Sequence, residues 1–170
     1  MIEAVKNIFR FAILILLQVT VIRHLDLGQF LNPMIYVAAI LMLPIQTPKA
    51  LVMFIAFFCG FIIDMFYHTP GINTAACVFM AFCRPRILKI FAPREDYESS
   101  SLPNVQSMGM IWMLSYTGTL VLLHHFVLFY TEAFTLSYFF STFLKALLSS
   151  LATVTLILLS QYLTLKRANG

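Results

Sequence analysis

Four ionisable residues stand inside long apolar stretches of the 170-residue chain: Asp64, His124, His125 and Lys145. An acid, two imidazoles and an amine are the groups from which proton relays, ion sites and buried ion pairs are built. Such groups are costly where the surroundings are hydrocarbon, so each one is a candidate for a functional site.

The pattern does not indicate catalysis. The chain has no HExxH, no GxSxG and no Gly-rich phosphate loop, and its six glycines are scattered. His124 and His125 are adjacent, so on a helix they point about 100° apart and cannot both closely face one partner. Cys59, Cys77 and Cys83 form no CxxC pair and predict neither a disulfide nor a metal site. We expect a protein without enzymatic activity, cofactor or bound metal.

The composition indicates that most of the chain lies in lipid. Apolar residues make up 61% of the sequence, charged residues make up 11%, and the mean hydropathy is +0.89. A soluble domain carries about 25% charged residues, and a globule of this length has too little interior to hide so much apolar surface. The net charge is only +4 and no dense basic stripe is present, so nucleic-acid binding is not expected. The composition predicts an all-α, multi-pass membrane protein.

Charges and turn signals divide this single integral-membrane domain into spans, since a lipid-crossing helix needs about 20 mostly apolar residues. The predicted spans are about 5–24, 31–46, 50–67, 72–91, 109–130 and 136–163, with a polar cytoplasmic loop over 92–107. Arg84-Pro85-Arg86 interrupts the fourth span, which either kinks there or stops and continues as a short surface helix. Five spans are the alternative to six, if the first or the fourth fails.

Lysine and arginine predict the direction of the chain through the bilayer. With the N-terminus inside, the cytoplasmic side receives nine of the eleven basic residues: Lys6, Arg10, Lys49, Arg84, Arg86, Lys89, Arg94, Lys166 and Arg167. Both termini are then cytoplasmic. Arg84, Arg86 and Lys89 lie near the inner interface, where they either set the orientation or bind anionic lipid headgroups.

This orientation places the four ionisable residues at similar depth. At 1.5 Å per residue, Asp64 and the two histidines lie about 22 Å from the inner ends of their helices, and Lys145 lies about 13 Å below the outer end of its own. We hypothesise an outward-side polar cluster in which Asp64 pairs with Lys145 or with a histidine. The alternatives are that Lys145 and the histidines reach the outer interface separately, or that the cluster is a substrate or ion site.

Gly60 and Asp64 are four residues apart, and therefore lie on one helical face. A glycine at that position lets a neighbouring helix approach closely, and the carboxylate can accept a hydrogen bond across the contact. We expect this face to pack against another helix of the bundle.

The first half of the chain resembles the rod-shape-determining MreD family. The strongest part of the resemblance is Gly60-Phe61-Ile62-Ile63-Asp64, followed by Thr69-Pro70-Gly71 and a helix with Ala75 and Ala76. The other matching residues are Leu17-Gln18, Asn32-Pro33, Leu43-Pro44, Thr47-Pro48 and Ala81-Phe82-Cys83-Arg84-Pro85. The resemblance covers residues 7–90, and the last two helices match only in placement and length.

The resemblance implies a non-catalytic component of the bacterial cell-elongation (Rod) complex in the cytoplasmic membrane. Proteins of this family associate with the bitopic protein MreC, and through it with MreB, RodA and a class B penicillin-binding transpeptidase. The implied role is to organise lateral-wall peptidoglycan synthesis and thereby maintain rod shape. The family is also similar in outline to the six-helix substrate-binding subunits of energy-coupling-factor transporters. A small-molecule-binding transporter subunit is therefore the alternative function.

Overall fold

The computed structural model describes residues 2–25, 28–93, 97, 102–135 and 138–168, and within these ranges the chain is helical and contains no strand. The helices are α1 (Ile2–Thr20), α2 (Ala38–Leu41), α3 (Lys49–Tyr67), α4 (Ile72–Ile90), α5 (Val105–Met108), α6 (Met110–Ala133) and α7 (Phe139–Ala168), with 3-10 turns at Ile22–His24 and Ile35–Val37.

Three helices in the described part of the chain are long and apolar enough to cross a membrane: Lys49–Tyr67, Met110–Ala133 and Phe139–Leu163. The all-helical class is thus confirmed for the described residues, and three of the helices have the length and apolarity that a membrane span needs. These helices correspond to the predicted spans 50–67, 109–130 and 136–163, although residues 136–137 lie outside the described residues. α1 and α4 each carry three charged residues within 19, which lowers their hydropathy. The count of six spans stays a prediction.

The helix α4 runs without a break from Ile72 to Ile90 and contains Pro85 in its interior. Two alternatives were predicted for Arg84-Pro85-Arg86, and the one in which the helix stops there is therefore wrong. Pro85 removes one backbone donor, and neighbouring elements in a bundle can compensate for such a loss.

The prediction of a helical span over 31–46 is wrong. Residues 31–34 carry no regular structure, and the short helical turns Ile35–Val37 and Ala38–Leu41 follow. Residues 33–43 are all buried, so this apolar stretch is covered by protein. Pro33 and Pro44 bracket it, and each proline disfavours helical backbone in the residue before it. We call residues 31–43 the crossing segment.

Contacts along the crossing segment show that it runs back through the middle of the bundle. Asn32 N lies 2.9 Å from Ser149 Oγ near the start of α7, whereas Gln161 Nε2 lies 3.1 Å from Met42 Sδ three turns further along α7. Arg10 of α1 donates to the Met42 carbonyl at 2.8 Å. The chain thus leaves the end of α1, crosses the interior and reaches α3 at the end where α1 began.

The described side chains at the two ends of the bundle differ in charge. One end carries Arg10, Lys49, Arg86 and Lys89 together with the C-terminal part of α7, and we call it the basic end. The opposite end carries Arg23, which lies over the Tyr67 ring at 5.2 Å, and Lys145. The helices α3, α4, α6 and α7 alternate in direction between these two ends.

Candidate functional site

The carboxylate of Asp64 is fully engaged with the neighbouring helix α4. Its Oδ1 accepts hydrogen bonds from Thr69 Oγ1 at 2.7 Å, from Asn73 N at 2.9 Å and from Asn73 Nδ2 at 3.0 Å. Its Oδ2 accepts from Thr74 N at 2.9 Å and from Thr74 Oγ1 at 2.6 Å. A carboxylate offers about four lone-pair positions, so these five donors leave Asp64 no free acceptor capacity.

The bonds to Asn73 N and Thr74 N identify Asp64 as the cap of α4. The helix begins after Gly71, whose φ of 82° lies in the left-handed region, and glycine at this N-cap offers no side chain. The first turn of a helix exposes backbone N–H groups and the positive end of its dipole. Asp64 supplies the missing acceptor from α3, which stabilises the start of α4.

Gly60 lies at the point where the backbones of α3 and α4 touch. A Cβ atom built on Gly60 would lie 2.5 Å from Thr74 Cα and 2.7 Å from the Asn73 carbonyl oxygen, both of them main-chain atoms of α4. Only glycine fits such an approach. The contact brings α4 close enough for its first N–H groups to reach Asp64, one turn along α3 from Gly60.

The hydrogen bonds continue from Asp64 into the core. Asn73 lies 3.0 Å from the Tyr36 hydroxyl through Oδ1, and the same hydroxyl lies 3.0 Å from His124 Nε2. Cys77 Sγ lies 3.7 Å from both the hydroxyl and the imidazole. We call Asp64, Asn73, Tyr36 and His124 the polar network. It joins α3, α4, the crossing segment and α6.

The bond from Asn73 to Asp64 determines which group donates in each of the other hydrogen bonds of the polar network. Asn73 Nδ2 donates to Asp64, so Asn73 Oδ1 is the acceptor and the Tyr36 hydroxyl donates to it. The Tyr36 oxygen then accepts from His124, which assigns the proton to Nε2. His124 Nδ1 is consequently an acceptor, and it has no hydrogen-bond partner among the described residues although the side chain is fully buried.

The predicted pairing of Asp64 with Lys145 is wrong. Lys145 Nζ pairs with Glu132 at 3.1 Å and lies 4.4 Å from the centre of the Phe129 ring. Both partners lie on α6, against which α7 packs, whereas Asp64 faces α4. Asp64 makes no direct bond to a histidine either, because Asn73 and Tyr36 stand between it and His124.

His125 contacts a different part of the core from His124. Its Nδ1 lies 2.9 Å from the Val121 carbonyl and its Nε2 lies 3.4 Å from Thr153 Oγ1. The Thr153 hydroxyl in turn accepts from Met34 N at 3.0 Å. The two adjacent histidines therefore face different partners, and neither reaches the outer interface, since both are fully buried.

Side chains from four helices satisfy the irregular backbone of the crossing segment. Gln18 accepts from Ile35 N at 2.8 Å and donates to the Pro33 carbonyl at 3.2 Å. Tyr116 donates to the Leu41 carbonyl at 2.9 Å. The remaining partners of this segment are Arg10, Arg84, Ser149 and Thr153. Non-helical backbone is tolerated at membrane depth only when protein groups satisfy it in this way.

The alternative in which Arg84 binds a lipid headgroup is wrong, because the side chain is buried in protein. Arg84 is 2% exposed, its Nε donates to the Tyr116 hydroxyl at 2.8 Å, and its Nη2 donates to the Leu43 carbonyl at 2.5 Å. Its charged group thus satisfies the carbonyl of the last residue of the crossing segment. Arg86 and Lys89 are exposed at the basic end, as orientation or lipid binding requires.

The sequence predicted no site role for Gln18, Tyr36, Asn73 or Tyr116, although Leu17-Gln18 is part of the family resemblance. Gln18 and Asn73 are polar residues within apolar runs, which is a signal that the sequence carries. The two tyrosines give no comparable signal, because tyrosine is common in membrane helices as an interface anchor.

A concave surface lies between α3 and α4 on the outside of the bundle. It encloses about 850 Å³, and Phe57, Phe61, Met65, Ala75 and Val78 form its apolar walls. Asp64 and the turn from His68 to Gly71 form its polar end. Because the Asp64 oxygens are already occupied, the recognition surface that remains is mainly apolar.

No group of three histidine, cysteine or acidic side chains among the described residues is arranged to hold a metal ion. No family model matches the chain, no curated protein matches its sequence, and no solved structure matches its fold.

Proposed function

We propose that this chain is a non-catalytic component of the bacterial cell-elongation complex in the cytoplasmic membrane, of the MreD type. The observation that carries the proposal is the joint use of Gly60, Asp64 and Gly71, the residues at the centre of the resemblance. They bring α3 and α4 together and cap α4. These residues at the centre of the motif thus pack α3 closely against α4. Such a helix pair suits a protein that binds other membrane proteins and organises them.

In this role the chain associates with a bitopic MreC-like protein, and through it with MreB, RodA and a class B penicillin-binding transpeptidase. A partner with one membrane helix meets this chain through its lipid-facing surface. The concave surface between α3 and α4 offers such a helix an apolar, recessed face. Both termini lie on the cytoplasmic side in this proposal, with the basic end inward.

Co-purification tests the association. We expect an MreC-like protein to be recovered with the tagged chain, and depletion of the chain to convert rods into spheres. Ala75→Phe fills the concave surface and should reduce recovery of the partner. Leu144→Phe makes a similar change at an exposed position of α7 and should not. Normal shape after depletion, together with no partner recovered, would contradict the proposal.

A small-molecule-binding subunit of an energy-coupling-factor-type transporter is the second candidate. The crossing segment favours it, because interrupted helices inside a bundle are where many transporters place their substrate. Native mass spectrometry of the gently purified protein distinguishes the two. A stoichiometric small ligand that is lost on mutation of Tyr36 or His124 would support transport, and an apo protein with MreC-like partner bound would support assembly.

A further inference from the structure

Two cationic side chains converge on one aromatic ring at the basic end. Lys49 is the first residue of α3, and its Nζ lies 4.1 Å from the centre of the Phe82 ring of α4. The guanidinium carbon of Arg86, one turn further along α4, lies 4.9 Å from the same centre. The two charges therefore lie within about 9 Å of each other. Both side chains are exposed, and no carboxylate of the described residues pairs with either.

The start of α3 adds to this positive field. Pro48 occupies the N-cap and provides no side-chain hydrogen bond, so the first N–H groups of the 19-residue helix are uncapped by any side chain. The positive end of the helix dipole thus lies beside Lys49. Contact with the ring face offsets part of the repulsion between the two cations but leaves their charge unneutralised. An anion placed between them would meet all three features.

A phosphate group has the right size and charge for this position. Hydrogen bonded at about 2.8 Å on each side, one phosphate can reach two cations that lie no further apart than this limit. Phe82 is 36% exposed, and Phe79, one turn deeper along α4, is 41% exposed. The surface below the cations is thus apolar, which suits the acyl part of a lipid better than water around a free ion.

We propose that Lys49 and Arg86, which both lie against the Phe82 ring, bind the phosphate of an anionic phospholipid at the basic end. The site goes beyond the proposed function, because it assigns a ligand class to residues that the assembly role does not use. Arg84, a neighbour in sequence, is excluded by its burial. Lys89 lies in the last turn of α4, where its positive charge interacts favourably with the negative end of that helix dipole. Its position therefore needs no lipid to explain it.

Native mass spectrometry of the full-length protein in detergent tests the site, with phosphatidylglycerol and phosphatidylcholine as titrated probes. We expect the wild type to bind phosphatidylglycerol at least about tenfold more tightly than phosphatidylcholine. Lys49→Gln and Arg86→Gln should each weaken phosphatidylglycerol binding about fivefold, and the double variant by more than tenfold. Lys89→Gln removes one charge from the same end and serves as the control, with a change below about twofold.

Three outcomes would overturn the assignment. Equal retention of phosphatidylglycerol by the wild type and by the double variant would show that these residues do not hold the lipid. An equal loss in Lys89→Gln would show that only the general charge of this end matters. Inorganic phosphate binding as tightly as the lipid, in the same titration, would show a site for a free anion. Unchanged thermal unfolding of the variants in lipid-free detergent establishes that they are folded.

Discussion

At the residue scale, Asp64 shows how a carboxylate inside a membrane segment can be structural. An unpaired charge there is costly, and proton or ion transfer is the usual reason to keep one. Here five donors of the adjacent turn and helix surround the two oxygens. Their number offsets the cost of burial and leaves no position from which the carboxylate could bind a substrate.

Replacement of this carboxylate by an amide should destabilise the fold. In Asp64→Asn, one of the two acceptor oxygens becomes an NH2 group that faces donors such as Thr74 N. We expect the free energy of unfolding to fall by about 1–3 kcal/mol, measured by thermal unfolding in detergent. Glu132→Gln, in an exposed ion pair, should change it by less than about 1 kcal/mol. Equal effects of the two variants would refute the capping role.

Gly60 should tolerate no side chain at all. Gly60→Ala places a Cβ 2.5 Å from a main-chain atom of α4, so the helices must separate and the bonds to Asp64 must lengthen. We expect a loss of about 1–3 kcal/mol in unfolding free energy. Gly118→Ala is the matched control, because its Cβ meets open space in the middle of α6, and it should stabilise by about 0.5–1 kcal/mol. A neutral Gly60→Ala would contradict the observed helix contact.

At the scale of elements, the crossing segment depends on its neighbours for its stability. A regular helix satisfies its own backbone, but residues 31–43 borrow partners from α1, α4, α6 and α7. Each of those helices supplies at least one polar side chain that bonds to the backbone of this segment. The bundle and the segment are therefore expected to fold together.

Gln18 provides a direct test of this dependence. Gln18→Leu keeps a similar volume but leaves Ile35 N and the Pro33 carbonyl buried without their partner. We expect a loss of about 1–3 kcal/mol for each group left unpaired, measured as the shift in unfolding midpoint. Gln161→Leu, whose amide reaches only the weakly accepting Met42 sulfur, should change little. Similar midpoints for both variants would mean that the segment is held by packing alone.

Arg84 should not be replaceable by lysine. The guanidinium donates through two different nitrogens, to Tyr116 and to the Leu43 carbonyl, and lysine offers a single nitrogen in place of this planar fork. We expect Arg84→Lys to lower the unfolding free energy by about 1.5–3 kcal/mol. Arg86→Lys, at an exposed position two residues away, should leave it unchanged in lipid-free detergent. Tolerance of both substitutions would show that Arg84 acts only through its charge.

At the scale of the whole molecule, the charge difference between the two ends of the bundle bears on orientation. The turn before α3 lies at the basic end, and the turn between α3 and α4 lies at the opposite end. Since basic residues remain cytoplasmic, the second turn should face outward.

Cysteine labelling checks this orientation. We expect His68→Cys to react with a membrane-impermeant maleimide in intact cells, and Gln46→Cys to react only after lysis. Both positions are exposed, and the native Cys59, Cys77 and Cys83 would first be replaced by alanine. The reverse pattern of labelling would invert the proposed topology.

The boundaries of α3, α6 and α7 were predictable because they depend on local features. A continuous apolar run ended by a turn signal such as Thr69-Pro70-Gly71 predicts the same helix in any surroundings. The face shared by Gly60 and Asp64 follows from helical spacing alone. The partners of Asp64 were not predictable in full, because the pairing with Lys145 rested on equal depth, and depth does not tell which helices are neighbours.

Hydropathy and periodicity are properties of short stretches of chain, so they were enough to predict the helical architecture, its long apolar helices and the packing face of α3. The path of residues 31–46, the burial of Arg84 and the polar network from Asp64 to His124 depend on tertiary contacts. An apolar stretch has the same hydropathy whether lipid or protein surrounds it. Likewise, a polar side chain does not reveal which distant backbone group it will meet. Those contacts join residues 9 to 119 positions apart, and they exist only once the helices have packed.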